Sequence, residues 1–140
     1  MKKLLLLIAL AIAAYVGLAH RDTPAGGPDQ YTSTAQDQFG PEASNTQVQG
    51  VGVVERILAD DSDGSRHQRF LIRLASGQTL LVAHNIDLAP RVSGLREGDT
   101  VEFNGEYVWN QKGGVVHWTH RDPSDHHVAG WLKHDGQTFQ

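Results

Sequence analysis

Short stretches in which apolar and polar residues alternate, separated by clusters of turn-forming residues, run through the chain from residue 48 onward. The clearest is Asp99–Tyr107, where Val101, Phe103 and Tyr107 alternate with polar residues. A period of two is typical of a β-strand with one buried face. The pattern predicts five strands, at Val48–Leu58, His67–Ala75, Gln78–His84, Asp99–Tyr107 and Val115–Trp118.

These strands and their spacing predict an all-β fold, a small five-stranded OB-like barrel. Gly50 and Gly52 suit a first strand that bends sharply, because glycine weakens a flat strand. The segment 85–98 leaves room for one short helix at most, and Trp131–Phe139 predicts a C-terminal hairpin. No long helical period occurs after the leader, which supports the all-β prediction.

The turn between the second and third strands decides which side chains share a face. A two-residue turn at Ser76-Gly77 pairs Arg69 with His84 and gives one apolar face, formed by Phe70, Ile72, Leu74, Leu81 and Ala83. The opposite face then carries His67, Arg69 and His84 together. A three-residue turn reverses this relation and puts His84 beside Phe70. The face assignment therefore depends on this one turn.

The N-terminal residues 1–19, MKKLLLLIALAIAAYVGLA, have the form of a signal peptide. Two lysines precede an uncharged apolar run that ends in small residues. The alternative is an uncleaved membrane anchor, although the apolar run is shorter than the roughly 20 residues that span a bilayer. Residues 20–46, polar and rich in proline and glycine, predict a flexible linker, and residues 47–140 predict the barrel. We therefore expect a periplasmic or secreted protein.

Charge and cysteine content narrow the possible partners. Cleavage after Ala19 removes two lysines and no acid, so the remaining chain has 10 basic and 16 acidic residues. This balance argues against non-specific nucleic-acid binding, which needs a basic surface. The chain has no cysteine, so no disulfide stabilises the fold in an oxidising compartment. Contact with a membrane is expected only through an uncleaved leader.

Two segments resemble OB domains. The run Leu95–Gly105 resembles the L-x2-GD-x-V-x-F-x-G start of the fourth strand in many such domains. Asp60-Asp61 and the IDLAPR stretch (86–91) resemble parts of exported thermonuclease-type OB domains. Arg91 stands where that family has a glutamate, and no second catalytic arginine is evident downstream. The resemblance to a nuclease therefore supports the barrel better than it supports the activity.

The motifs DD-x2-G-x2-HQRF, AHNIDLAPR and GGVVHWTHRDP, read along residues 60–123, resemble a bacterial family of small exported proteins. That family is classed as a domain of unknown function, and the resemblance covers nearly all of residues 47–140. It implies export and a bacterial origin. It implies no activity, so the chemistry depends on the residues themselves.

Histidines concentrate in three of these motifs, and four of the eight lie between residues 117 and 127. His117 and His120 are three residues apart and would point to opposite faces of a straight strand. They converge only if the chain turns after Trp118. We expect one polar cluster that includes His84, His117 and Arg69. The candidate ligand-binding residues are His67, Arg69, His84, Asn85, His117, Trp118, His120 and Asp122.

This set of residue types fits three kinds of site. His84, His117 and His120 are candidate ligands for zinc or copper, which imidazole binds well. His84, His117 and Arg69 are candidate catalytic residues of a phosphodiesterase or nuclease-like hydrolase, because imidazole titrates near neutrality and guanidinium binds phosphate. A binding module for a small ligand, peptide, glycan or protein is the third.

For a binding module, the tryptophans Trp109, Trp118 and Trp131 supply surfaces on which a ligand could stack. The same polar residues also fit a purely structural role, as buried hydrogen-bonded links between strand ends. From the sequence we expect an exported binding or accessory module, with the hydrolase as the alternative.

Overall fold

The computed structural model describes residues 39–140. A single 3-10 turn, Pro41–Ala43, precedes the strands. No helix within these residues has the length and apolar character needed to cross a membrane. The strands are β1 (Thr46–Ile57), β2 (His67–Arg73), β3 (Thr79–Asn85), β4 (Thr100–Val108), β5 (Val115–His117), β6 (Trp131–His134) and β7 (Gln137–Phe139).

The first five strands close into a barrel. Their order is β1-β2-β3-β5-β4, and β4 pairs again with β1. The β3–β5 pair is parallel, whereas the other pairs are antiparallel. The strands β6 and β7 form a C-terminal hairpin that pairs with β4 through β6. The predicted OB-like barrel with its C-terminal hairpin is confirmed.

The first strand closes the barrel because it bends far enough to pair with two partners. Its N-terminal part pairs with β4 from Thr46 to Val53, and its C-terminal part pairs with β2. The register shifts between Val54 and Arg56, where a bulge increases the bend. A side chain at Gly50 would bring its Cβ within 2.7 Å of the Phe103 ring. Glycine at this position therefore allows β1 to cross close to the core.

The turn between β2 and β3 contains three residues, Ala75-Ser76-Gly77. The amide of Leu74 donates to the carbonyl of Gln78 (2.9 Å), and Gly77 has a φ of 89°. A glycine with positive φ typically closes such a three-residue hairpin turn. The pairing that follows sets Leu71 opposite Leu81. The two-residue turn expected from the sequence is therefore wrong by one residue.

This shift reverses the inner and outer faces of β3. The residues that face the core are Leu80, Val82 and His84, all fully buried, whereas Leu81 and Ala83 face outward and do not belong to the core as predicted. Phe70, Ile72 and Leu74, which were predicted for the apolar face, are buried, and they pack with several others into one cluster. Its fully buried members include Phe70, Ile72, Leu80, Val82, Val101, Phe103, Tyr107, Val116 and Leu132.

The packed unit includes Phe39, which lies inside the segment expected to be a linker. Its ring contacts the rings of Phe103 and Tyr107, with centroids 6.0 and 5.6 Å away. Its carbonyl accepts hydrogen bonds from the Tyr107 hydroxyl and from the Gln78 amide, both at 2.9 Å. The barrel thus includes residues from Phe39 rather than beginning at Gln47. The predicted signal peptide (1–19) and the rest of the predicted linker (20–38) lie outside the described residues.

Replacing Phe39 with alanine should lower the free energy of unfolding by about 3 to 5 kcal/mol, because it leaves a cavity between two buried aromatic rings. The matched control is Trp109→Ala, which truncates an aromatic residue that is 40% exposed. That change should cost about 1 kcal/mol or less. Urea unfolding followed by circular dichroism measures both. Similar losses in the two variants would contradict a core position for Phe39.

Candidate functional site

A cleft of about 190 Å³ lies where β2 begins and where β3 and β5 end. Strands β3 and β5 are parallel neighbours with Leu81 aligned to Val115. Ala83 and His117, each two residues further on, therefore lie on the same outer face. His67 is paired with Asn85 across β2 and β3. The residues that line the cleft are Ser65, His67, Ala83, Asn85, Leu88, His117, Trp118 and His120.

The chain leaves β5 at Trp118, and this turn brings His120 back to the cleft. Trp118 has a φ of 52°, in the left-handed region that few residues with large side chains adopt. The amide of Gly130 donates to the carbonyl of His120 (2.9 Å), which fixes the returning chain. A Cβ at Gly130 would come within 2.0 Å of the Trp118 carbonyl oxygen. His117 and His120 thus line the same cleft although their spacing does not suit one strand face.

In two of the cleft histidines, a backbone carbonyl fixes which ring nitrogen carries the hydrogen. Nδ1 of His67 is 2.8 Å from the Ser65 carbonyl oxygen, and Nδ1 of His120 is 2.7 Å from that of Arg121. A carbonyl can only accept, so Nδ1 carries the hydrogen in both rings. In the neutral form each Nε2 then keeps a lone pair. Neither Nε2 has a hydrogen-bond partner within residues 39–140, and neither Nε2 is fully buried.

His84 lies beneath the cleft, inside the barrel, and both its ring nitrogens are occupied. Nε2 donates to the Pro90 carbonyl (3.0 Å), and Nδ1 is 2.8 Å from the Thr119 hydroxyl, which must therefore be the donor. Burial lowers its pKa to about 4, so the ring is neutral near pH 7. With no free lone pair, His84 is unsuited to the metal-binding and catalytic roles considered from the sequence. It links three segments instead.

Arg69 and Asp122 are directed to other partners. The Arg69 guanidinium donates through Nε to the Ala59 carbonyl (3.0 Å) and does not line the cleft. The expected cluster of His84, Arg69 and His117 therefore does not form around one cavity. Asp122 accepts from the backbone amides of Ser124, His126 and His127 at 2.9 to 3.0 Å. These bonds hold its own loop together, and hydrogen bonds led by those from Ser124 lower its pKa to about 2.

Within residues 39–140 no group of three or more histidine or acidic side chains is arranged to hold a metal ion. Of the three candidate ligands, only His117 and His120 line the cleft. Nε2 of His117 is buried and lies 3.3 Å from Oε1 of Glu106, outside hydrogen-bonding geometry. Burial lowers the pKa of His117 more than Glu106 raises it. The geometry gives the zinc or copper prediction no support.

The sequence analysis missed an ion pair beside the cleft, between Glu106 and His127. Nε2 of His127 is 2.7 Å from Oε2 of Glu106, and its Nδ1 is 2.8 Å from the Val128 carbonyl oxygen. Both partners only accept, so both nitrogens carry hydrogens and His127 is an imidazolium. Burial opposes this charge, but the bonds to Glu106 and Val128 outweigh it and raise the pKa of His127. The hydrogen bond from His127 lowers the pKa of Glu106.

This ion pair supports the aromatic wall of the cleft. The His127 ring stacks on Trp118 with centroids 4.1 Å apart and planes 9° from parallel. His120 contacts the same indole with centroids 5.3 Å apart. A charged imidazolium over a tryptophan face is a favourable cation–π contact. No sequence signal identified Glu106, because its alternation with Tyr107 marks it only as an outward-facing strand residue.

The protein is a small OB-like barrel with a cleft at one end that is lined by imidazole side chains. The chain belongs to the family described as "Protein of unknown function (DUF3465)", whose model matches residues 15–140. The predicted membership of a family of unknown function is confirmed. No curated protein and no solved structure matches the chain.

The fold should lose stability as the pH falls from 6.5 towards 4, because His84 must remain neutral in the folded protein. A histidine whose folded pKa is depressed stabilises the fold above its unfolded pKa, and that contribution is lost as pH falls through this window. The shift corresponds to about 3 kcal/mol. Urea unfolding across this range should show a shallower pH dependence for His84→Gln. The exposed His126→Gln is the control, and an equal change in both variants would contradict the role of His84.

Replacing Glu106 with glutamine should lower the free energy of unfolding by about 1 to 2 kcal/mol below pH 6.5, because it removes the charged acceptor of His127. The loss should shrink as pH rises. A histidine with a raised folded pKa stabilises the fold below its unfolded pKa and loses that contribution as pH rises through the folded pKa. Glu102→Gln, an exposed change on the same strand, is the control. A pH-independent loss would exclude the ion pair as its cause.

Proposed function

We propose that this protein is an exported binding module, and that the cleft at the start of β2 and the ends of β3 and β5 is its ligand site. One observation carries the proposal. His67, Asn85 and the segment with His117, Trp118 and His120 come from three separate parts of the chain and line one cleft. The Nε2 atoms of His67 and His120 have no hydrogen-bond partner within the described residues, so in the neutral rings their lone pairs are available to a ligand.

Export rests on the leader and on no structural observation. The leader combines two lysines, an apolar run and a small-residue end, which is the form of a cleaved signal peptide. The absence of cysteine is compatible with an oxidising compartment. We infer that the working protein is periplasmic or secreted, and that it meets a membrane only if the leader stays attached.

Binding is favoured over phosphodiester hydrolysis because the cleft lacks a phosphate clamp. Hydrolysis needs fixed positive charge where negative charge develops on the transferring phosphoryl group. Arg69 was the candidate for that role, but its guanidinium is turned to the Ala59 carbonyl. Arg66, next to His67 in the chain, pairs with Asp87 at 2.7 Å. No lysine or arginine is among the residues that line the cleft.

The first test is expression of the full chain in a bacterium. The protein should appear in the periplasm or medium with an intact mass that begins near His20. It should then be purified without a histidine tag and screened against a library of small metabolites by NMR. Ligands should shift the imidazole signals of His67 and His120 and leave the exposed His126 unchanged.

Three results would contradict the proposal. A full-length protein held in the membrane fraction would exclude cleavage of the leader. A library that never shifts the cleft signals would exclude the binding site. Turnover of a chromogenic phosphodiester that is abolished by His120→Ala, but not by His126→Ala, would replace the binding module with a hydrolase.

A further inference from the structure

The hydrogen-bonding pattern around the cleft points to the chemical class of its ligand. We propose that the cleft binds a small primary amine in its protonated form, with the ammonium N–H groups donating to Nε2 of His67 and His120. This inference rests on the proposed binding function and goes one step further, because it names what the site recognises. Three features of the cleft support it.

The first feature is the fixed direction of the two imidazoles. Because Nδ1 of His67 and Nδ1 of His120 donate to backbone carbonyls at 2.8 and 2.7 Å, their neutral rings leave only Nε2 for a ligand. An Nε2 without a hydrogen is an acceptor. A ligand that satisfies two such acceptors must bring hydrogen-bond donors. An ammonium group brings three.

The second feature is the absence of positive charge from the residues that line the cleft. The Arg66 guanidinium is paired with Asp87 at 2.7 Å, and Arg69, whose Nε donates to the Ala59 carbonyl at 3.0 Å, does not line the cleft. Asn85 accepts through Oδ1 from the Asp87 amide (3.0 Å), which leaves its side-chain NH2 as a donor. One neutral amide does not replace the solvation of a carboxylate or phosphate. An anion is therefore disfavoured.

The third feature is the apolar part of the lining. Trp118, Leu88 and Ala83 form walls against which a small apolar body can pack. The indole is held in place by its stacking on His127, with centroids 4.1 Å apart. The cleft, about 190 Å³ in volume, suits a compact molecule.

The test compares three probes of similar shape: benzylamine, benzyl alcohol and benzoate. They are titrated near neutral pH and at constant ionic strength into the protein labelled with ¹⁵N. Benzylamine should shift the Nε2 signals of His67 and His120 and the Trp118 indole signal. It should bind about ten-fold more tightly than the other two, since a charge-assisted hydrogen bond contributes about 1.5 kcal/mol or more.

Variants test whether the Nε2 lone pairs of His67 and His120 account for the tighter binding of benzylamine. His67→Phe and His120→Phe each keep an aromatic ring but remove an acceptor, and each should weaken benzylamine binding about ten-fold. His126→Phe, an exposed change outside the cleft, should leave it unaltered. Thermal melting verifies that each variant is folded. If His120→Phe does not fold, His67→Phe, at the less buried of the two positions, provides the same test.

The outcomes separate this inference from the proposed function. Benzoate or benzyl alcohol binding as tightly as benzylamine would overturn the amine class and leave the cleft as a binding site. Zinc chloride that saturates His67 and His120 while benzylamine does not bind would overturn it in favour of a metal. If none of the probes shifts the cleft signals, the amine class fails, and the library screen decides whether the binding site fails as well.

Discussion

The three-residue turn at Ala75-Ser76-Gly77 sets the register of β2 against β3, and the faces on which His84 and Asn85 lie depend on it. Side chains on a strand alternate between faces, so one residue more or less in the turn exchanges the inner and outer faces of a strand. With Leu71 opposite Leu81, His84 points into the barrel, while His67 and Asn85 face outward at the cleft. The other register would turn Asn85 inward and His84 outward, so the cleft would lose Asn85 and the interior would lose its polar link.

The buried histidine, His84, is the part of the structure that joins the core to the site. It holds the Thr119 hydroxyl and the Pro90 carbonyl at 2.8 and 3.0 Å. Thr119 is itself fully buried and lies between the two residues whose side chains form one wall of the cleft, Trp118 and His120. A neutral histidine suits this position, because its two nitrogens donate and accept at once without the cost of burying a charge. The same hydrogen bonds that stabilise the fold thus position the site.

The histidines in and around the cleft differ in protonation because their hydrogen-bond partners differ. Backbone carbonyls fix the hydrogen of His67 and His120 at Nδ1 and leave lone pairs available. The Glu106 carboxylate, at 2.7 Å, makes His127 a cation that supports Trp118 from behind. Side chains of the same type thereby take three roles: His67 and His120 are acceptors, His84 is a neutral link, and His127 is a charged support. The chemistry of the site is therefore decided by neighbouring oxygens rather than by the number of histidines.

The sequence by itself determined the strands, because alternation with period two reports burial along each segment. It also determined the all-β barrel and identified four of the polar residues that line the cleft, His67, Asn85, His117 and His120. The tertiary structure decided what depends on distant contacts. The packing of Phe39 against Phe103 and the pairing of Glu106 with His127 join residues 64 and 21 positions apart. The β2–β3 register depends on which face of β3 packs into the core. A local pattern specifies the period of a segment and its apolar face. The closure of the barrel around one core decides which distant segment covers that face.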